Sequence, residues 1–165
     1  MQANYRTERL LLRKLTPVDA AFIFDLVNTD GWIKFIGDRN VKGLQDAANY
    51  IQKIISNPDI HYRVVTLKST ETAIGLITFI KRAYLDHPDI GFAFLPAYNK
   101  QGYAFEAASE VLNDLLSEGG HATILATTIP QNSASIQLLK KLGLGFSREI
   151  TNEGLLLHLY AIEKN

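Results

Sequence analysis

From Ile90 to Ala107 an apolar stretch passes through Pro96-Ala97-Tyr98-Asn99-Lys100-Gln101 into Gly102-Tyr103-Ala104-Phe105-Glu106-Ala107. Small residues at 102 and 104 let the backbone N–H groups of a helix's first turn come close to a ligand. Those amides, at the positive end of the helix dipole, favour an anion such as a phosphate. Taken alone, Gly102 serves a tight strand-to-helix turn equally well. A second cluster, Asn132-Ser133-Ala134-Ser135, precedes Ile136, Leu139 and Leu142. It offers a helix cap and a hydroxyl one turn into that helix. The four histidines, His61, His87, His121 and His158, lack metal-ligand spacing, and there is no cysteine. A thiolate zinc site, a disulfide framework and a cysteine nucleophile are thereby excluded, and no metal is expected.

The elements that must hold these segments follow from periodicity. Leu10 to Leu15 reads as a strand, and Thr16-Pro17-Val18-Asp19 opens a helix carried by Ala20, Ile23, Phe24 and Val27 toward Gly31. Leu44 to Asn57 is amphipathic through Ala47, Ile51, Ile54 and Ile55 and stops near Pro58. Tyr62 to Leu67, Ala73 to Lys81 and Asp89 to Leu95 read as strands, the first two joined as a hairpin. A long helical stripe from Ala104 to Leu116 closes at Gly119-Gly120. A strand over Ala122 to Thr128 and a helix from Asn132 or Ser133 to Lys141 follow, the latter stopped by Gly143. Phe146 to Ile150 and Leu155 to Ile162 then pair around Asn152-Glu153-Gly154. Antiparallel strands early and crossover units later predict a mixed α/β (α+β) sheet.

The 165 residues, 47% hydrophobic and 21% charged, suit one domain spanning 1–165, with no linker or repeat. Seventeen basic and seventeen acidic residues cancel, so no global field points to nucleic acid or to a membrane surface. The longest apolar runs fall short of the about 20 residues that cross a bilayer, and residues 1–9 lack a signal-peptide core. Together with the absence of cysteine, this predicts a cytoplasmic protein.

Lys100-Gln101-Gly102-Tyr103-Ala104-Phe105-Glu106-Ala107 and the later Asn132 to Ser135 with Lys141 resemble segments of the GNAT superfamily of N-acetyltransferases. The likeness is to the branch that acetylates ribosomal-protein N-termini, whose loop reads Gly-Lys-Gly-Tyr-Ala-x-Glu-Ala. Thr7-Glu8-Arg9-Leu10-Leu11-Leu12-Arg13 and Asp89-Ile90-Gly91-Phe92 look like its first and fourth strands. Lys100 stands for a usual glycine and Gln101 for a usual lysine, and the ending Lys141 to Phe146 carries two extra residues.

The resemblance implies a single GNAT-like domain: a mostly antiparallel sheet with splayed central strands and about four flanking helices. It also implies acetyl-CoA as co-substrate and a primary amine as acceptor, most readily a protein N-terminal α-amine. Other acceptors are a small amine such as a polyamine or an antibiotic, and a non-catalytic CoA sensor is the reading from another class. The chain would be a monomer or a homodimer. By the same resemblance, Asn99, Lys100, Gln101, Gly102, Tyr103 and Ala104 hold the pyrophosphate. Phe92, Ala93 and Phe94 bond the pantetheine arm and supply an oxyanion donor, and Asn132 binds the arm or a water. Asp89 is the candidate base, with Glu106 in reserve, and Ser135 is the candidate donor to the leaving thiolate. The other reading of Asp89 is a structural ion pair, that of Glu106 a helix-dipole or packing role, and that of Asn132 and Ser135 a helix cap beside a surface residue. Trp32, Phe35, Ile36 and Arg39 are pocket candidates, joined by His158 with Tyr160 if the last strand is regular. A cationic acceptor would call for an acidic funnel, yet Asp86, Asp89, Glu149 and Glu153 lie dispersed.

Overall fold

In a computed structural model that describes residues 1–117 and 120–164, eight strands form one sheet in the order β1-β2-β3-β4-β5-β6-β8-β7. The strands are β1 Tyr5–Arg6, β2 Leu10–Lys14, β3 Ile60–Leu67, β4 Ala73–Ile80, β5 Asp89–Phe94, β6 Thr123–Thr128, β7 Gly145–Asn152 and β8 Leu155–Glu163. The helices are α1 Ala20–Val27, α2 Asp30–Phe35, α3 Leu44–Ile55, α4 Tyr103–Ser117 and α5 Ser133–Lys141, with short 3-10 turns at Pro17–Asp19 and Pro96–Tyr98. Every neighbouring pair of strands is antiparallel except β5 and β6. Among the described residues no helix is long and apolar enough to cross a membrane.

Two features depart from the sequence reading. The two-residue β1 is too short for a period to show, and it pairs Tyr5 with Leu12. The first helix ends at Val27, and α2 begins anew because the Thr29 hydroxyl accepts the Trp32 N–H (3.3 Å). Among the described residues there are thus five α-helices, where about four were expected. The stop read at Gly119-Gly120 falls partly outside the described residues, since only Gly120, at φ 72°, lies within them.

Period-two alternation divides the core into two layers. Leu10, Val65, Ile77, Phe79 and Ile90 pack with Val111, Leu115 and Leu139 of α4 and α5. Val64 and Leu76 face the other way, onto Ile23 and Leu26 of α1, Trp32 of α2 and Ile51 of α3. Burying each large aliphatic side chain contributes about 1.5–3 kcal/mol. With both faces clamped in this way, strands β2 to β5 form a rigid platform, and the sheet opens where β5 leaves β6.

Candidate active site

The opening follows from the hydrogen-bond register. Leu95 N–H donates to the Ile74 carbonyl (2.9 Å), and β4 and β5 stay in step from Gly75 opposite Phe94 to Ile80 opposite Asp89. Alternation in an antiparallel ladder then turns the main-chain groups of Asp89, Gly91 and Ala93 toward β4, and those of Ile90, Phe92 and Phe94 away from it. On that far side β6 meets β5 at a single bridge, Asp89 opposite Leu125, where Leu125 N–H reaches the Pro88 carbonyl (3.0 Å). Beyond the bridge the strands part. Phe92 and Phe94 therefore present unpaired N–H and C=O groups to a V-shaped cleft, while those of Ala93 are occupied by β4. The ring of Phe94 lies where a Cβ on Gly75 would sit, 2.4 Å away, so only glycine at 75 admits this packing.

At the mouth of the cleft the chain turns through two left-handed residues, Lys100 (φ 60°) and Gly102 (φ 82°), into α4. Position 100 thus needs a conformation natural to glycine, and lysine adopts it at a cost of about 1–2 kcal/mol. The first-turn amides of α4 have no intrahelical acceptor and face outward as an anion cradle. Arg9, which the sequence reading quoted only as part of a strand, is the residue that pins this cradle. Its guanidinium lies over the Tyr103 ring at 4.3 Å and donates to the Gln101 carbonyl (3.0 Å) and to Glu106 Oε2 (2.7 Å). A basic residue one position before a strand carries no periodic signal, so only its contacts reveal it. Glu106 also accepts from the Thr7 hydroxyl (2.5 Å) and from Arg9 N–H (2.8 Å). Burial pushes its carboxyl up, but these donors outweigh burial and hold it below the usual range. Glu106 thus staples the loop to the segment from Thr7 to Arg9.

Asp89 lies at the closed end of the cleft, 3% exposed. Its two oxygens share the Nε–H of Arg82 at 2.9 and 3.0 Å. Burial pushes this carboxyl up, and the pull of Arg82 and of the Thr127 hydroxyl only partly reverses the shift. The two oxygens share a single N–H from Arg82, so the strongest donor to this carboxylate is divided between them.

On the α1/α3 side, Tyr62, Thr78 and Gly91 lie in register across β3, β4 and β5, and all three are half-buried while Val64 and Leu76 beside them are fully covered. The helices cover this strip, next to the cleft, less completely than its neighbours, and its partly exposed residues line a recess there. The Tyr50 and Tyr62 hydroxyls meet at 3.3 Å. Burial drives the Tyr62 phenol far above its ordinary range, against the opposing charges of Arg39 and Arg82, so it stays protonated. A Cβ on Gly91 would come within 2.6 Å of the Thr78 hydroxyl, so glycine keeps the recess open at the strand that borders the cleft.

Of the pocket candidates, Trp32 is buried beside this recess with Arg39 5.9 Å from its ring. Phe35 is half-buried under Lys34, and Ile36 is 43% exposed. His158 does not join them. It shares a face with Phe146 and with Tyr160, which belongs to the α4/α5 layer, and it meets Glu149 at 3.3 Å. Asn132 caps α5 by accepting the Ser135 N–H (3.2 Å), which leaves its amide NH2 group free. The half-buried Ser135 makes no side-chain hydrogen bond among the described residues. No cluster of three or more metal-ligating side chains occurs among them either.

An anion cradle, an unpaired strand edge and a neighbouring recess together suit an acyl donor carried on a phosphorylated, amide-rich arm. Residues 9–145 match the model of the acetyltransferase (GNAT) domain, and the chain belongs to that family of acetyl-CoA-dependent N-acetyltransferases. It is 29% identical over 151 residues to YnaD of Bacillus subtilis (strain 168), an uncharacterized N-acetyltransferase, covering 90% of this chain and 88% of that one. The fold matches the ribosomal-protein-S5-alanine acetyltransferase of Vibrio fischeri at a TM-score of 0.82 and 17% identity, over 99% of this chain and 98% of that one. It also matches the spermidine N-acetyltransferase of Vibrio cholerae, solved with CoA and spermine, at 0.80 and 17%, over 96% and 97%.

Proposed function

We propose that the enzyme acetylates a protein N-terminal α-amine by direct attack in a ternary complex. The observation that carries this reading is the engagement of Asp89 by Arg82, because Asp89 is the buried carboxylate beside the cleft. A carboxylate so held is a modest base. It suffices for an α-amine, whose pKa is about 7.7–8, and serves poorly for an alkyl amine near about 10.4. The reading takes its further support from the Vibrio fischeri enzyme that shares the fold and acts on a ribosomal-protein alanine.

Each step falls to residues of this chain. The first-turn amides of α4 and the loop from Asn99 to Ala104 hold the pyrophosphate, with Arg9 fixing the loop. Phe92 and Phe94 pair with the pantetheine arm as a neighbouring strand would. One of their N–H groups polarises the thioester carbonyl and stabilises the oxyanion, at about 3 kcal/mol per donor. Asp89 takes the ammonium proton through a water. Asn132 holds the arm with its free amide, and the Ser135 hydroxyl donates a hydrogen bond to the departing thiolate and passes to it the proton that the nitrogen loses as the tetrahedral intermediate collapses. Bound acetyl-CoA supplies the activated acyl group.

The test is release of CoA thiol in the presence of N-terminal peptides and small amines, with the wild type and Ser135→Ala. Peptides should turn over fastest, and Ser135→Ala should lower turnover while leaving CoA affinity intact. Preferential turnover of small amines would refute the acceptor assignment. Bound acetyl-CoA with no turnover of any amine would favour a sensor.

A further inference from the structure

The recess beside the cleft is rich in donors. The Arg39 guanidinium sits 5.9 Å from the Trp32 ring, on an exposed side chain that makes no salt bridge among the described residues. The Trp32 Nε1–H is fully buried and has no acceptor among the described residues, an arrangement that is unfavourable until an oxygen reaches it. Tyr50 and Tyr62 add two hydroxyls. Of the carboxylates near the recess, the buried Asp89 is matched by Arg82 at 2.9 Å, and Asp30 and Asp38, on and after α2, are exposed. A polyamine site needs the reverse arrangement, unpaired carboxylates facing inward.

We propose that this recess selects acceptors carrying an anionic group next to the reacting amine, namely peptides whose second residue is acidic, with Arg39 pairing that carboxylate and rejecting polycations. The inference rests on the acceptor reading above and gives it a charge preference. Arg39 acts as a specificity-determining residue, because guanidinium and carboxylate pair through parallel charge-assisted hydrogen bonds.

Calorimetry on the protein saturated with CoA reads the recess without requiring turnover. The probes are heptapeptides beginning Ala-Glu and Ala-Lys, and spermidine. The Ala-Glu peptide should bind at least about fivefold more tightly than the Ala-Lys peptide, the worth of one charge-assisted contact at a partly exposed site. Arg39→Glu should reverse that order, and Arg39→Gln should bring the ratio near one, both with CoA affinity unchanged. Equal binding of the two peptides, spermidine binding as tightly as the acidic peptide, no peptide binding at all, or a ratio unmoved in Arg39→Glu would each overturn the proposal. If the acidic peptide binds selectively but is not acetylated while a small amine is, the charge preference stands and the acceptor assignment fails.

Discussion

Two arginine–carboxylate pairs flank the cleft, and they behave oppositely. At its mouth, Glu106 collects donors from Thr7 and twice from Arg9, and its carboxyl is held low. At its closed end, Asp89 receives one shared N–H from Arg82 and is more deeply buried, and its carboxyl is pushed up. Coulomb attraction is present in both. What differs is the depth of burial: at Asp89 desolvation outweighs the donors, and at Glu106 the donors outweigh desolvation. A carboxylate whose donors outweigh its burial is a structural staple, and one whose burial outweighs its donors is still able to take a proton.

Three substitutions probe that contrast. The largest effect is expected at Asp89. Asp89→Asn should lower kcat about 100-fold and abolish the acidic limb of the pH profile, measured by steady-state thiol release with a peptide acceptor. A full rate at every pH would reduce Asp89 to the structural role that Glu106 has. Its stability effect has its own sign. A raised carboxyl means that the folded state binds the proton more tightly than the unfolded chain. Acidification from the raised value toward about 3.9 therefore adds stability in the wild type and not in Asp89→Asn.

Next is Gly102→Val, which places a β-branched side chain at φ 82° with its Cβ 3.3 Å from Arg9. It should weaken CoA binding at least tenfold by calorimetry, roughly the effect of the about 1–2 kcal/mol left-handed penalty together with a displaced cradle. Unchanged affinity would detach the cradle from the coenzyme.

The smallest effect is expected for Glu106→Gln, about 1 kcal/mol of stability at neutral pH in denaturant unfolding, because Arg9 is partly solvent-screened. A lowered carboxyl contributes stability above its unfolded pKa. The gap between wild type and variant should therefore narrow as pH falls below about 4.3 toward the folded value. A gap that widens on acidification would mean that Glu106 resembles Asp89 after all.

Much of this architecture was legible in the sequence. The amphipathic period of Leu44 to Asn57, the strand-like run of Tyr62 to Leu67 and the left-handed stop at Gly143 (φ 91°) are local properties, and the structure keeps them. The strand-to-helix loop ending at Gly102 was legible for the same reason, since turn geometry is written in residue type.

Partnership between distant segments was not legible. Arg9 reaches Glu106 across 97 positions, and the Trp32 side of the recess depends on α2, a helix that a run of six residues barely announces. The sequence by itself determined the longer elements, their order and the loop that can cradle a phosphate, because backbone propensity and hydrophobic period act over a few residues. Only the tertiary structure decided which carboxylate is held low and which is pushed up, which backbone groups of β5 face the cleft, and that His158 lies on the far layer. Those outcomes depend on desolvation and strand register, which exist only once the chain has closed on itself.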